Sequence, residues 1–194
     1  MRHDLHMPGF GFGLRPLALE DAEFIVEIRS DRHRTRFLHP IPPSVEAQRD
    51  YILQYFERPG DYYFVVERAG EKSREGLIAI YNANLEKKQA DWGRWILRPG
   101  SLASVESVLR IYEAAFDCLH LDEVRSHTFY ENKQVVSFHD HCNLSRRGVI
   151  PDYYTIAGVN YDVVEHTLTR GDWPRVRQLL EPTAERVARR TLQS

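Results

Sequence analysis

The feature that most constrains the fold is an amphipathic helix between two strand-like runs. In SLASVESVLRIYEAAFDCLHL (101–121), apolar side chains recur every three or four positions, which is the period of one helix face. The run ADWGRWIL (90–97) precedes this segment and DEVRSHTFY (122–130) follows it. A helix between neighbouring strands of one sheet makes those strands parallel. The sequence therefore predicts a helix over 104–119 that crosses over between two parallel strands.

The segments around this crossover predict antiparallel pairing. Strand candidates DYYFVVERAG, GLIAIYNANLE and ADWGRWIL are separated only by short charged turns, so hairpins are the simplest connections. A short strand and two helices precede them. The first helix spans about 19–29, and the second begins at a Ser44 cap. A short helix (132–142) and a hairpin turning near 158–160 follow the crossover. We predict a mixed, mostly antiparallel α/β (α+β) sheet with helices on both faces.

Composition and charge restrict the function. The chain has 194 residues, of which 42% are hydrophobic and 28% charged, which is typical of a globular domain with a real core. A net charge of -2 gives no global attraction to nucleic acid or acidic membranes, and no apolar run could span a bilayer. Cys118 and Cys142 are interpreted as reduced core thiols, so we expect a cytoplasmic protein. His139 and His141 face different directions on a helix, so no metal site is expected.

The stretch WILRPGSLASVES (95–107) suggests an anion site. A strand, a Pro-Gly turn and a helix N-terminus bring free backbone N–H groups together, and such groups bind phosphate. An ordinary turn with a serine cap has the same pattern. The sequence leaves both interpretations open here.

The order of elements, the strand WGRWILRP before a long helix, and the string NKQVVSFHDHCNL together resemble the GNAT superfamily of N-acetyltransferases. The family string after the fifth strand is Asn-x-x-Ser-x-x-x-Tyr-x-x-x-Gly-Phe, where this chain has Asn132, Val135, His139, Asn143 and Leu144. The resemblance covers about residues 12–173. It implies one acetyltransferase domain there, an N-terminal extension over 1–11 and a helical tail over 174–194 that Pro182 interrupts.

The resemblance also implies a sheet of about seven strands, a splayed parallel pair between the fourth and fifth strands, and acetyl-CoA as co-substrate. In the family, a loop with the pattern Gln/Arg-x-x-Gly-x-Gly/Ala holds the coenzyme A pyrophosphate through backbone amides. Here the spacing of the glycine and the alanine differs. The cofactor-binding residues implied are Ile96, Leu97, Arg98, Gly100, Ser101, Leu102, Ala103, Ser104, Asn132 and Phe138. Asn132 is also a candidate helix cap.

Three residues are candidates for the chemistry. His139 occupies the position of the family's tyrosine, which implies a proton donor to the coenzyme sulfur, although a packed core histidine has the same pattern. His127 lies where ribosomal-protein alanine acetyltransferases have a glutamate base; a half-buried strand histidine is the alternative. Tyr81, together with Asn82, is expected to face the acceptor, as a base or a substrate contact.

The loop RSDRHRTRFLHP (29–40) concentrates arginines that suit a diphosphate, including Arg32, Arg34 and Arg36. A solvated charged loop is the alternative. Within the family, the chain most resembles acetyltransferases of nucleotide-linked amino sugars of the pseudaminic acid type, which implies a small-molecule amine acceptor. Alternatives are a protein N-terminus, a small polyamine, or an acyl-CoA-binding module without turnover. The aromatics of DYYTIAG leave an edge-strand homodimer open.

Overall fold

The fold was obtained as a computed structural model that describes residues 2–30, 35–38, 40–142, 144–156 and 158–191. Its centre is a seven-stranded sheet in the order β1-β2-β3-β4-β5-β7-β6, in which only the β4–β5 pair is parallel. The strands are β1 Phe12–Pro16, β2 Tyr62–Arg68, β3 Arg74–Asn84, β4 Gln89–Leu97, β5 Glu123–Phe129, β6 Arg146–Ile156 and β7 Val159–Thr169. The predicted mixed sheet and its hairpins are confirmed.

Five α-helices cover the two faces of the sheet in the described residues. They are α1 Ala22–Arg29, α2 Val45–Phe56, α3 Ser104–Glu113, α4 Lys133–His141 and α5 Trp173–Thr191. The predicted Ser44 cap is present, because the Ser44 side chain accepts a hydrogen bond from the Ala47 amide. No helix in the described part of the chain is long and apolar enough to cross a membrane.

The parallel pair joins along only part of its length. Strands β4 and β5 pair at Gln89 with Glu123, Ala90 with Val124, and Asp91 with Arg125. Beyond Asp91 the two strands separate, and the predicted splayed pair is therefore present. Helix α3 makes the crossover between them and continues as a π-helical turn, Ala114–Cys118. The crossover predicted from the amphipathic pattern is confirmed.

The sheet separates two apolar cores. One core lies under α3 and α5 and contains Phe64, Ile78, Trp92, Tyr112 and other buried side chains. The second lies under α1 and α2 and is formed by Phe24, Ile52, Tyr63, Leu77, Ile96 and their neighbours. Because adjacent strand residues face opposite sides, β2, β3 and β4 each supply side chains to both cores. The two faces of the sheet thus pack against different helices, α3 and α5 on one side and α1 and α2 on the other.

The helical segment predicted from about Leu19 to Arg29 is present, and its first turn, Leu19–Asp21, is a 3-10 helix that leads directly into α1. Two other local predictions were wrong. The tail is one helix of 19 residues that runs through Pro182, because buried contacts such as Val176 and Ala184 on the same helix outweigh the cost of proline. Cys118 is exposed, since it lies at the end of the π-helical turn, whereas Cys142 is buried as expected.

The buried Glu106 carboxylate attaches the residues before β1 to the body of the protein. It accepts hydrogen bonds from the backbone amides of Gly11 at 3.1 Å and Phe12 at 3.0 Å, and a further one from Phe10. Arg110, one helical turn later, pairs with the same carboxylate. Glu106 therefore holds the entry to β1 against the start of α3.

We predict that Glu106→Ala lowers the free energy of unfolding by about 3–5 kcal/mol, because three backbone amide donors lose their acceptor and Arg110 keeps only Glu113 as a carboxylate partner. Urea unfolding followed by circular dichroism measures this loss. Glu23→Ala, at an exposed position of α1, is the matched control and should change stability by no more than about 0.5 kcal/mol. Equal effects of the two substitutions would contradict the anchoring role of Glu106.

Candidate active site

Two cavities lie beside the region where β4 and β5 separate. The larger, here called the acceptor cavity, has a volume of about 680 Å³ and extends from β3, β4 and β5 to α1 and α2. Its aromatic lining consists of Phe37, Tyr51, Tyr63, Tyr81, Phe129 and Tyr154. A cavity of this size and character fits a small organic molecule.

The second cavity, here called the coenzyme cavity, has a volume of about 520 Å³ and lies between the end of β4, the turn after it and α4. A small cavity of about 80 Å³ shares Gly93, Arg94 and His127 with the acceptor cavity and Trp95 and Asn132 with the coenzyme cavity. The described side chains therefore leave part of the gap between β4 and β5 open. The gap joins the two larger spaces.

The turn after β4 presents backbone donors to the coenzyme cavity. Gly100 adopts a φ of 75°, a left-handed conformation that glycine accepts without strain, and the chain then enters α3 at Ser104. The amides of Ser104, Val105 and Glu106 occupy the first helical turn, where no intrahelical acceptor exists. The first intrahelical bond runs from the Ser107 amide to the Ala103 carbonyl. Donors at a helix N-terminus suit phosphate oxygens.

The structure brings six of the predicted cofactor residues to the coenzyme cavity: Ile96, Leu97, Ser101, Ser104, Asn132 and Phe138. The others have different surroundings. The Arg98 side chain turns towards α1, where it pairs with Glu27 at 2.8 Å. Leu102 is exposed, Ala103 is fully buried, and Gly100 shapes the turn without lining the cavity.

His127 lies where the acceptor cavity meets the gap. Its Nε2 atom is 3.0 Å from Oε2 of Glu165, the residue opposite it in the β5–β7 register. The Tyr153 ring stacks on the imidazole, with ring centroids 4.6 Å apart and planes at 11°. Only 6% of the His127 side chain is exposed, so its orientation is well defined. A carboxylate bound to Nε2 favours the tautomer in which Nδ1 accepts a proton.

His139 is a buried, neutral histidine at the side of the gap. It is 1% exposed, and its ring packs edge-to-face on Trp92 with centroids 5.3 Å apart. Burial, assisted by the neighbouring His166, lowers the pKa of His139 to about 3. The imidazolium form is therefore not populated at neutral pH. Among the described residues, the buried Nδ1 atom of His139 has no hydrogen-bond partner.

The predicted acceptor residues lie in different places. Tyr81 lines the acceptor cavity, and burial raises the pKa of its phenol, so the group stays protonated and suits a donor more than a base. Asn82 is exposed and donates to Asp91 at 2.9 Å, outside the lining of the cavity. Arg36 lines the coenzyme cavity instead of the acceptor cavity. Arg32 and Arg34 lie outside the described residues.

Comparison with known families shows which family the chain belongs to. The family model described as an acetyltransferase (GNAT) domain matches residues 12–145, which is most of the chain. The chain belongs to the GNAT acetyltransferase family. Curated proteins gave no significant match.

Solved structures share the GNAT fold. An inferred acetyltransferase from T. thermophilus has 23% identity and a TM-score of 0.79, with coverage of 94% of this chain and 98% of that one. The spermidine N-acetyltransferase of Vibrio cholerae, in complex with CoA and spermine, has 21% identity, a TM-score of 0.75 and coverage of 84% and 98%. FdhC, a nucleotide-linked sugar GNAT, has 24% identity, a TM-score of 0.72 and coverage of 89% and 94%.

GNAT acetyltransferases use acetyl-CoA, and the residues of this chain fit that co-substrate. The first turn of α3 offers unpaired amides to the phosphates, and the Ser101 and Ser104 side chains line the same cavity. Trp95, Val135 and Phe138 supply an apolar wall. The open gap leads from this cavity to His127.

Three residues of this GNAT acetyltransferase site escaped the sequence interpretation. Glu165 and Tyr154 come from the β6–β7 hairpin, which the sequence places only as a hairpin, so their partners on β5 depend on strand order. Arg94 lies beside a β-bulge, and bulges leave no clear pattern in a single sequence. The one available signal was the isolated Gly93 in a strand, which is typical of bulges and close approaches.

We predict that His139 makes stability pH-dependent. Its pKa in the folded protein, about 3, lies below the ordinary value of 6.5, so its contribution to stability is present above pH 6.5 and is lost as the pH falls. The loss is at most about 1.4 kcal/mol per pH unit. From pH 6.5 to pH 5, wild type should lose about 1.6 kcal/mol more than His139→Phe in urea unfolding. His141→Asn, on the exposed side of α4, should behave like wild type; a His139→Phe curve parallel to wild type would contradict the prediction.

Proposed function

We propose that this GNAT acetyltransferase transfers the acetyl group of acetyl-CoA to the primary amine of a nucleotide-linked amino sugar. The observation that carries the proposal is the aromatic acceptor cavity, which shares His127 with the small cavity beside the coenzyme cavity. Nucleobase and sugar rings pack well on aromatic side chains. FdhC, which shares the fold, is described as a nucleotide-linked sugar GNAT and supports this acceptor class.

A polyamine is the second candidate acceptor, because the Vibrio cholerae relative is a spermidine N-acetyltransferase. A polycation favours a cavity with several carboxylates. Among the described residues, Asp50 at the exposed rim is the one carboxylate in the lining, whereas Arg29 and Arg94 both line the cavity. The charge distribution therefore favours the sugar nucleotide. A protein N-terminus is the third acceptor to be tested.

Acetyl-CoA supplies an activated thioester whose thiolate leaves readily. The amides at the start of α3 hold its pyrophosphate, and the residues around the gap orient the acceptor amine. His127 takes the amine proton on Nδ1 while Glu165 fixes the imidazole through Nε2. Overall, a C–N bond forms, the C–S bond breaks, and the coenzyme thiolate takes up a proton.

Two further side chains assist by donating hydrogen bonds. Tyr81 keeps its proton because its phenol is buried, so it can orient the acceptor from the cavity wall. His139 acts as a neutral imidazole whose N–H stabilises the leaving sulfur, and not as an imidazolium acid. Both roles require the donor to be held in place in a site that excludes water, because a hydrogen bond to developing charge is stronger there.

The surroundings of the site suggest a cytoplasmic homodimer. Strand β6 ends the sheet, and its edge carries the exposed side chains of Val149 and Tyr153. Pairing of two β6 edges would cover these side chains. Both cysteines are free thiols, which is typical of a reducing compartment. Light scattering of the purified protein tests the dimer, and a monomer at micromolar concentration would contradict it.

We predict that release of free thiol from acetyl-CoA is fastest with sugar nucleotides. The panel contains a UDP-linked 4-amino sugar, its dephosphorylated amino sugar, a peptide with a free N-terminus, and spermidine. We expect kcat/KM for the sugar nucleotide to exceed the others by about tenfold or more, a difference of about 1.4 kcal/mol in transition-state binding. Turnover with spermidine or the peptide alone would contradict the proposed acceptor.

A double-mutant cycle tests the two residues at the base. We predict that His127→Asn lowers kcat by about 10²-fold or more, because the amine loses its proton acceptor. Glu165→Gln should lower kcat by about tenfold in wild type and by nothing further in His127→Asn, because Glu165 acts through His127. Acetyl-CoA affinity should stay unchanged, and His141→Asn is the control. An equal loss from Glu165→Gln in both backgrounds would show a structural role only.

A further inference from the structure

Arg94 reaches the acceptor cavity because of a bulge in β4. Gly93 pairs with Ala79 and Ile96 pairs with Leu77, so β4 contains one more residue than β3 over this interval. Arg94 has a φ of 49°, in the left-handed region that non-glycine residues seldom occupy. Gly93 and Arg94 consequently both face the acceptor cavity, whereas strict alternation would turn Arg94 towards α3.

The Arg94 guanidinium is fixed from one side only. Its Nη1 atom donates to both carboxylate oxygens of Asp61, at 2.7 and 3.0 Å. The Tyr63 and Tyr81 rings lie 5.4 and 4.9 Å from its central carbon. Among the described residues, Nη2 and Nε of Arg94 have no partner, and neither atom is fully buried. One edge of the cation is thus held and the other is available.

The free edge belongs to a cavity whose described lining has no carboxylate in its interior. Asp61 is buried behind Arg94 and does not line the cavity. The Asp50 carboxylate is at the exposed rim, and Arg29 adds a second cation to the lining. A guanidinium edge with two parallel N–H donors matches phosphate or carboxylate oxygens. For this match, the parallel arrangement of the two N–H donors matters more than the positive charge alone.

We propose that Arg94 is the anion-binding residue of the acceptor cavity, and that it binds a phosphate or carboxylate of the acceptor through Nη2 and Nε. This inference rests on the proposed acetyl transfer and deepens it. Anion recognition then comes from β4, one residue from Gly93 and close to His127, and not from the arginine loop, where Arg36 lines the coenzyme cavity. Asp61, Tyr63 and Tyr81 hold the guanidinium ready before the acceptor arrives.

Paired acceptors that differ only in the anion test the proposal. The first pair is a UDP-linked amino sugar and its dephosphorylated amino sugar, and the second is a short peptide with a C-terminal carboxylate and its amide. Arg94→Lys keeps the positive charge beside Asp61 but removes the two-donor edge. We expect KM for the anionic member to rise about tenfold, KM for the neutral member to stay the same, and kcat to change little.

Arg68→Lys is the matched control, since Arg68 also lies on a strand, pairs with Glu75 and stacks on an aromatic ring, but is outside the acceptor cavity. It should leave both pairs of KM values unchanged. Calorimetric binding of UDP in the presence of saturating CoA gives a readout without turnover. We expect Arg94→Lys to weaken UDP binding about tenfold while CoA binding, which reports the folded state, is retained.

The outcomes separate this inference from the proposed function. If Arg94→Lys retains the wild-type preference for anionic acceptors and the wild-type affinity for UDP, the role of Arg94 is overturned while acetyl transfer stands. Equal wild-type KM values for the anionic and the neutral member of each pair also overturn the proposed role of Arg94. If the carboxylate peptide is the acetylated member and its KM responds to Arg94→Lys, the anion site is supported and the sugar nucleotide is refuted as acceptor.

Discussion

The incomplete pairing of β4 with β5 is the constraint on which the site depends. The two strands share hydrogen bonds only from Gln89 to Asp91, and they separate where the bulge follows in β4. A continuous ladder would bury this part of the sheet and leave no passage through it. Separation instead opens a space whose walls are strand backbones, and these are rigid because both strands remain paired on their outer sides. The candidate active site of this GNAT acetyltransferase therefore lies at an interruption in the sheet.

Each side of this interruption has a different chemistry. On one side, the start of α3 offers backbone donors, and α4 supplies the apolar wall of the coenzyme cavity. On the other side, aromatic rings and the Arg94 guanidinium line the acceptor cavity. His127 lies beside the gap, because β5 forms one wall of it. In the proposed reaction the sheet sets the distance between the two substrates, and proximity of this kind provides much of the rate.

Burial controls the protonation states of His139 and Tyr81, two polar side chains near the gap. His139 is packed on Trp92 and stays neutral, and Tyr81 keeps its phenolic proton. His127 differs because Glu165 binds its Nε2 atom and Tyr153 covers its ring. Two histidines that look equivalent in the sequence therefore have different environments, and we propose different roles for them. Their surroundings, and not their residue type, make the distinction.

The sequence by itself determined the architecture, because the patterns that define it are local. The period of 101–121 predicts the crossover helix, and the short turns predict the hairpins. Only the tertiary structure decided which side chains meet. The contact of His127 with Glu165 requires β7 to lie beside β5, and the entry of Arg94 into the cavity requires a bulge. Arg98 illustrates the reverse case, since its partner Glu27 on α1 draws it away from the coenzyme cavity. These contacts join residues far apart in the chain, and local periodicity carries no information about them.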